Sequence, residues 1–149
     1  MIEVAPGRRF PSQEIDLLDP LLAWLRGRGF VRDDSLVVSE FGWHGRRVDL
    51  AVLTRSGRAT AFELKLRHNR RVLEQGALNA VTFDRSFVVT ATRPSAVNLD
   101  HARALGVGVL LVSLEFESVS LLIPAEHRQV HASARRTLRV ALRAKSEGS

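Results

Sequence analysis

The sequence predicts an α/β fold in which helices flank a mixed central β-sheet. Short runs of apolar and β-branched residues, bounded by glycine-containing turns, alternate with segments whose apolar residues recur at helical spacing. Their order is helix, three strands, helix, strand, helix, strand, strand, helix, which is that of a mixed sheet with helices packed on it. The 149 residues, 45% of them hydrophobic, suffice for one domain with a substantial core.

Residues Met1 to Pro11 read as a loose arm. A helix opens at Pro11-Ser12, with Ser12 or a nearby polar residue as its cap. Ile15, Leu18, Leu22 and Leu25 recur along it, Pro20 marks a kink or a second start, and Gly27 and Gly29 end it. Ser35 to Phe41, Arg46 to Thr54 and Ala59 to Leu66 are strands. The links GWHG and RSGR are short enough to make them an antiparallel meander.

His68 to Ala80 has helical spacing, with its arginines facing out. Arg85 to Thr92 is a strand, and Ala96 to Leu105 is a helix closed by Gly106. Val107 to Leu114 is apolar enough for the middle of a sheet. Val119 to Ile123 is a further strand, and Val130 to Lys145 a basic helix. The core is expected over about residues 12–123 of a single domain, with SEGS a frayed tail.

Composition narrows the functional classes. The chain has no cysteine, which excludes disulfides and thiolate metal sites and suits a reducing cytoplasm. Its opening residues lack the apolar stretch of a signal peptide, and no apolar run is long enough to cross a bilayer. There are 22 Lys and Arg against 16 Asp and Glu, a net charge of +6. Most of the cations are arginine, whose planar fork grips phosphate, so nucleic acid is one expected partner. A GC-rich genome accounts for arginine usage equally well.

Chemistry concentrates in two strands. Asp49 lies within RVDLAVL, and Glu63 and Lys65 within TAFELKL. A carboxylate inside an apolar strand is costly unless something pairs with it. Side chains alternate across a strand, so Asp49 falls opposite Val48 and Leu50, while Glu63 and Lys65 share a face with Ala61. A short hairpin sets Asp49 beside Glu63, and two adjacent carboxylates repel unless a cation or proton intervenes. Hard oxygen donors suit Mg2+ or Mn2+. An ammonium at Lys65 orients a water or stabilises developing phosphoryl charge. Attack of water on a phosphodiester is the reaction these groups best support. The competing explanation is a cross-strand ion pair, Asp49–Lys65 or Glu63–Lys65, of modest worth.

Asp49 followed by Glu63-Leu64-Lys65 resembles the signature of the PD-(D/E)XK nucleases, the restriction endonuclease-like fold. The order of elements from about Glu14 to Ser113 is similar to that family's core, although Val48 stands where the motif's proline would be. The resemblance implies that Asp49 and Glu63 bind a divalent metal and that Lys65 assists the attacking water. It also implies an upstream acid. Glu14, in an arrangement similar to archaeal-type Holliday junction resolvases, is preferred over Glu40. Gln75 resembles a glutamine that some members place near the metal. The expected enzyme is an Mg2+- or Mn2+-dependent endodeoxyribonuclease of repair, recombination or defence against foreign DNA, with RNA remaining an alternative substrate. Arg46, Arg47, Arg67, Arg70 and Arg71 would hold the backbone. With no separate recognition domain, specificity would come from DNA shape, a homodimer or a partner protein. The alternative is a binding module on the same fold, for nucleic acid or protein, that does not cleave.

Other signals are weaker. His127 and His131 are spaced to share a helix face as a metal pair, but a solvated face explains them better. His44 suits a turn, and His68 either lines the site or starts a helix. Trp43 either stacks on a base or packs on its own domain. The last helix, with Arg135, Arg136, Arg139, Arg143 and Lys145, would track a DNA backbone or cover the sheet.

Overall fold

The computed structural model describes residues 13–147. Gln13 caps a 3-10 turn over Glu14–Leu17, its N–H bonded to the Asp16 carboxylate at 3.0 Å. The turn leads directly into α1 (Leu18–Gly27). Pro20 falls in the first turn of α1, where an N–H would have no helical partner, so the helix runs through it. The expected cap at Ser12 lies outside the described residues.

The sheet has six strands in the order of the chain: β1 (Leu36–Trp43), β2 (Arg46–Leu53), β3 (Ala59–Lys65), β4 (Arg85–Thr90), β5 (Gly108–Ser113) and β6 (Ser118–Ile123). The first three form the expected antiparallel meander. The β1–β2 turn is only His44-Gly45, both with positive φ (50° and 73°), the backbone that matches the twist of a tight hairpin. Between β3 and β4 runs α2 (Arg70–Asn79), and between β4 and β5 runs α3 (Ala96–Leu105). These crossovers make β3, β4 and β5 parallel neighbours, and β6 then returns antiparallel. The last helix is α4 (Ala132–Glu147).

The two faces of the sheet are covered unequally. Leu17, Leu21 and Leu25, from the 3-10 turn and α1, pack on Leu50, Val52, Phe62, Leu64, Val89 and Leu110. The opposite face takes three helices. Leu138 and Leu142 of α4 cover Ala51, Leu53, Ala59 and Ala61. Val72 and Leu73 of α2, with Ala102 of α3, cover Val88 and Val109. Each fully buried Leu or Val contributes about 1.5–3 kcal/mol of burial. Gly76 lets α2 ride close on the sheet, since a Cβ there would come 3.0 Å from Val107 and 3.1 Å from Val88. Asp84, buried just before β4, secures α4. Its carboxylate accepts the Ala59 N–H at 2.7 Å and lies 3.2 Å from Arg135 Nε.

Some boundaries differ from the sequence reading. Asn69, not His68, opens α2, because its side chain accepts the Val72 N–H at 3.0 Å. The last helix starts at Ala132 rather than Val130, which removes His127 and His131 from any common helix face. Residues 124–131 stay non-helical because their backbone is tied to the core: Glu126 N–H donates to Gly106 C=O at 3.1 Å and Arg128 N–H to Asp84 C=O at 2.8 Å. Two cations of α4 also turn inward, Arg135 to Asp84 and Arg139 Nε to the Gly57 carbonyl at 3.0 Å. Only Arg136, Arg143 and Lys145 of the five remain exposed.

Candidate active site

Asp49 and Glu63 meet where β2 and β3 part. Their register runs from Leu53↔Ala59 to Leu50↔Phe62 and stops one step short of bringing Asp49 opposite Glu63. At that point the Asp49 side chain takes over from the backbone, its Oδ2 accepting the Leu64 N–H at 2.8 Å. Alternation sends Phe62 and Leu64 toward α1 and Glu63 toward α2.

Glu63 is 4% exposed. Burial pushes its carboxyl up from 4.5 to about 7, and Asp49 adds to the rise both by its charge and by a hydrogen bond to the protonated acid. Two contacts oppose the rise. Asn79 Nδ2 donates to Glu63 Oε1 at 2.9 Å, and the Arg46 guanidinium favours the ionised form from further off. Arg46 Nη2 donates to Asn79 Oδ1 at 2.6 Å, so Asn79 bridges Arg46 and Glu63.

Lys65 forms neither of the cross-strand pairs considered from the sequence. Its Nζ lies 3.1 Å from Glu14 Oε1, joining the end of β3 to the 3-10 turn before α1. Glu14 therefore reaches the site as the partner of Lys65. Glu40 sits within β1 with φ of 51°, between the Ser39↔Leu50 and Phe41↔Val48 pairs. Its exposed side chain is 3.6 Å from Arg47, which also lies 3.9 Å from Asp49.

Gln75 is half-buried one turn before Asn79 on α2, and Asn79 is the residue that bonds Glu63. Of the five arginines expected to hold a nucleic-acid backbone, Arg46 is drawn inward to Asn79. Arg47, Arg67, Arg70 and Arg71 are exposed, with Arg70 3.6 Å from Glu74. Trp43 packs on its own domain, its ring 5.7 Å from Phe41 and its Nε1 donating to Thr82 Oγ1 at 2.9 Å. His44 is the exposed turn residue. His68 stands between β3 and α2 with both ring nitrogens buried, and burial pushes its pKa down.

Among the described residues, no group of three or more His, Asp and Glu is placed to hold a metal ion. Two carboxylates, Asp49 and Glu63, are nevertheless adjacent, and the Asp49 charge adds to the rise that burial imposes on the Glu63 carboxyl. A hard divalent cation that keeps most of its waters needs only one or two carboxylates. The chemistry of these two oxygen donors is compatible with such an ion, and Asp49 and Glu63 are the residues that would hold it.

No family model matches the chain, and none of the curated proteins matches it. Among solved structures it is similar to the SPO1766 protein of unknown function from Silicibacter pomeroyi. The TM-score is 0.63 at 18% identity, covering 99% of this chain and 90% of that one. The likeness supports the fold. No helix among the described residues is long and apolar enough to cross a membrane.

Proposed function

We propose that the chain is a divalent-metal-dependent phosphodiesterase, an endonuclease acting on DNA. The observation that carries this reading is the meeting of Asp49 and Glu63 on adjacent strands, where burial and the Asp49 charge push the Glu63 carboxyl up to about 7. Carboxylates kept this close at an energetic cost are a recurrent mark of functional sites. A bound Mg2+ or Mn2+ would supply Lewis acidity toward a phosphoryl oxygen and lower the pKa of water. Asp49 and Glu63 would bind that ion, Glu63 giving up its proton as it does so. Lys65 would orient the attacking water, with Glu14 positioning Lys65 rather than ligating metal. Arg47, Arg67 and Arg71, all exposed, would neutralise the substrate backbone. Repair, recombination and defence against foreign DNA are the settings that use such chemistry.

The test is cleavage of supercoiled plasmid, single-stranded and branched DNA, and RNA, with Mg2+ or Mn2+. Metal-dependent nicking that is lost in Asp49→Asn and Lys65→Ala supports the reading. Cleavage unchanged in Lys65→Ala, or no cleavage with either metal, counts against it.

A second reading, a non-catalytic nucleic-acid or protein-binding module, draws on the internal pairing of the same groups. Asn79 and Arg46 satisfy Glu63, and Glu14 holds Lys65. Such a module would keep its DNA affinity in EDTA and after Asp49→Ala, and would gain no thermal stability from Mg2+.

A further inference from the structure

The uneven coverage of the sheet leaves a cavity of about 770 Å³ beside α1, on the face away from the acids. Asp49, Glu63 and Lys65 do not line it. Its back wall is the sheet itself, with Val52, Phe62, Phe87 and Leu110. The rings of Phe62 and Phe87 are stacked 5.4 Å apart at 10°. Phe30, 46% exposed, and Leu121, 42% exposed, flank it. The size and the apolar wall are those of a small-molecule pocket.

Charge at this cavity has one sign left over. Arg32, Arg55, Arg58 and Arg85 line it, as do Asp34, Asp84 and the exposed His127. Both acids are engaged: Asp34 lies 4.0 Å from Arg55, and Asp84 is held by Ala59 and Arg135. Arg32, Arg58 and Arg85 form no ion pair among the described residues. The Nε of Arg85 is buried with no hydrogen-bond partner. Leaving a buried donor of this kind unmet costs about 1–3 kcal/mol, and more for a charged group.

We propose that this cavity is a binding site for a small amphipathic anion. An apolar, preferably flat body would lie against the Phe62–Phe87 wall, and one carboxylate, phosphate or sulfonate head would accept from Arg85, with Arg58 nearby. The wall accounts for selection against a bare inorganic anion. The lining arginines Arg58 and Arg85, which form no ion pair among the described residues, account for selection against a neutral hydrocarbon. The proposal is independent of the phosphodiesterase reading, since the two sites lie on opposite faces of the sheet.

The probe is 8-anilinonaphthalene-1-sulfonate, titrated into the full chain and followed by its own emission and by energy transfer from Trp24, which lines the cavity. The neutral N-phenyl-1-naphthylamine serves as control. Saturable one-to-one sulfonate binding is expected, weakened about tenfold or more in Arg85→Gln while neutral-probe binding stays within about twofold. Arg58→Gln alters an exposed residue and tests the same charge requirement should Arg85→Gln not fold; a drop of about threefold is expected there. Equal sulfonate binding by wild type and both variants, or no saturable binding by wild type, overturns the proposal.

Discussion

The Asp49 carboxylate accepts the Leu64 N–H at 2.8 Å, where β2 and β3 have stopped pairing through their backbones. One side chain thus closes the ladder and brings its charge against Glu63. Asp49→Asn keeps an oxygen for that N–H and removes the charge. We expect its stability to stay within about 1 kcal/mol of wild type. The Glu63 pKa should fall below about 7 but stay above 4.5, because burial, the larger cause, persists while the repulsion from Asp49 is gone. Carboxyl NMR titration reads the shift; an unchanged Glu63 would show that burial alone sets its pKa.

Glu63 also makes stability depend on pH. Its folded pKa, about 7, is above its ordinary 4.5. Between those values the folded chain binds more protons than the unfolded chain, so this contribution is full below 4.5 and is lost as pH rises through 7. At 1.36 kcal/mol per pKa unit the whole loss is about 3 kcal/mol. Glu63→Gln, which keeps an oxygen acceptor for Asn79, should be more stable than wild type at pH 8 and nearly equal to it at pH 5. Urea unfolding at the two pH values decides the matter, and a difference that does not change with pH contradicts it.

Asn79 is fully buried between Arg46 and Glu63. Asn79→Ala strips a partner from each and should cost about 2–4 kcal/mol. It should also raise the Glu63 pKa further, since the amide now favours the ionised acid. Gln75→Ala, one turn away, should cost less than about 1 kcal/mol. Thermal and chemical denaturation of the pair checks the contrast.

The Lys65–Glu14 contact is partly exposed on both sides. Such pairs are worth about 0–1 kcal/mol. Lys65→Ala should therefore fold with almost wild-type stability and lose cleavage. Glu14→Gln should lower the cleavage rate while leaving metal affinity within about twofold, because Glu14 holds the amine rather than the ion. A large loss of Mg2+ or Mn2+ affinity in Glu14→Gln, measured by calorimetry, would restore Glu14 as a ligand.

Gly108 carries a steric requirement that is independent of the acids. A Cβ there would lie 2.4 Å from the Phe87 ring and 2.8 Å from the Ala125 backbone nitrogen. Gly108→Ala should destabilise the fold by about 1–3 kcal/mol. A melting temperature equal to wild type would mean that the segment after β6 moves freely.

Much of this was legible in the chain. The meander followed from its two glycine-bearing links, and the acids stood out because Asp49 and Glu63 interrupt apolar strands. The partners of the acids were harder to see. Asn79 occupies a helix position whose polarity reads as surface, and only the approach of α2 over Gly76 buries it. The cross-strand pair held open as the competing explanation for Lys65 does not form; its partner is Glu14, distant in sequence. Nothing in the sequence singled out Asp84, though it secures α4 from within the core. His127 and His131 are exposed, as the favoured reading of a solvated face has them, but the helix starts later than Val130 because backbone bonds to Gly106 and Asp84 hold residues 124–131 out of it.

The meander has one further consequence, for the order of folding. Asp49 and Glu63 sit on a local hairpin, whose contacts close quickly, while Asn79 is delivered by a crossover that also has to complete the slower parallel pairing of β3 with β4. In the nascent hairpin both acids face water, and it is burial, completed as α2 docks, that raises the Glu63 pKa and favours uptake of a proton there despite the opposing bond from Asn79. Refolding in unbuffered solution should take up that proton late, in step with the arrival of α2.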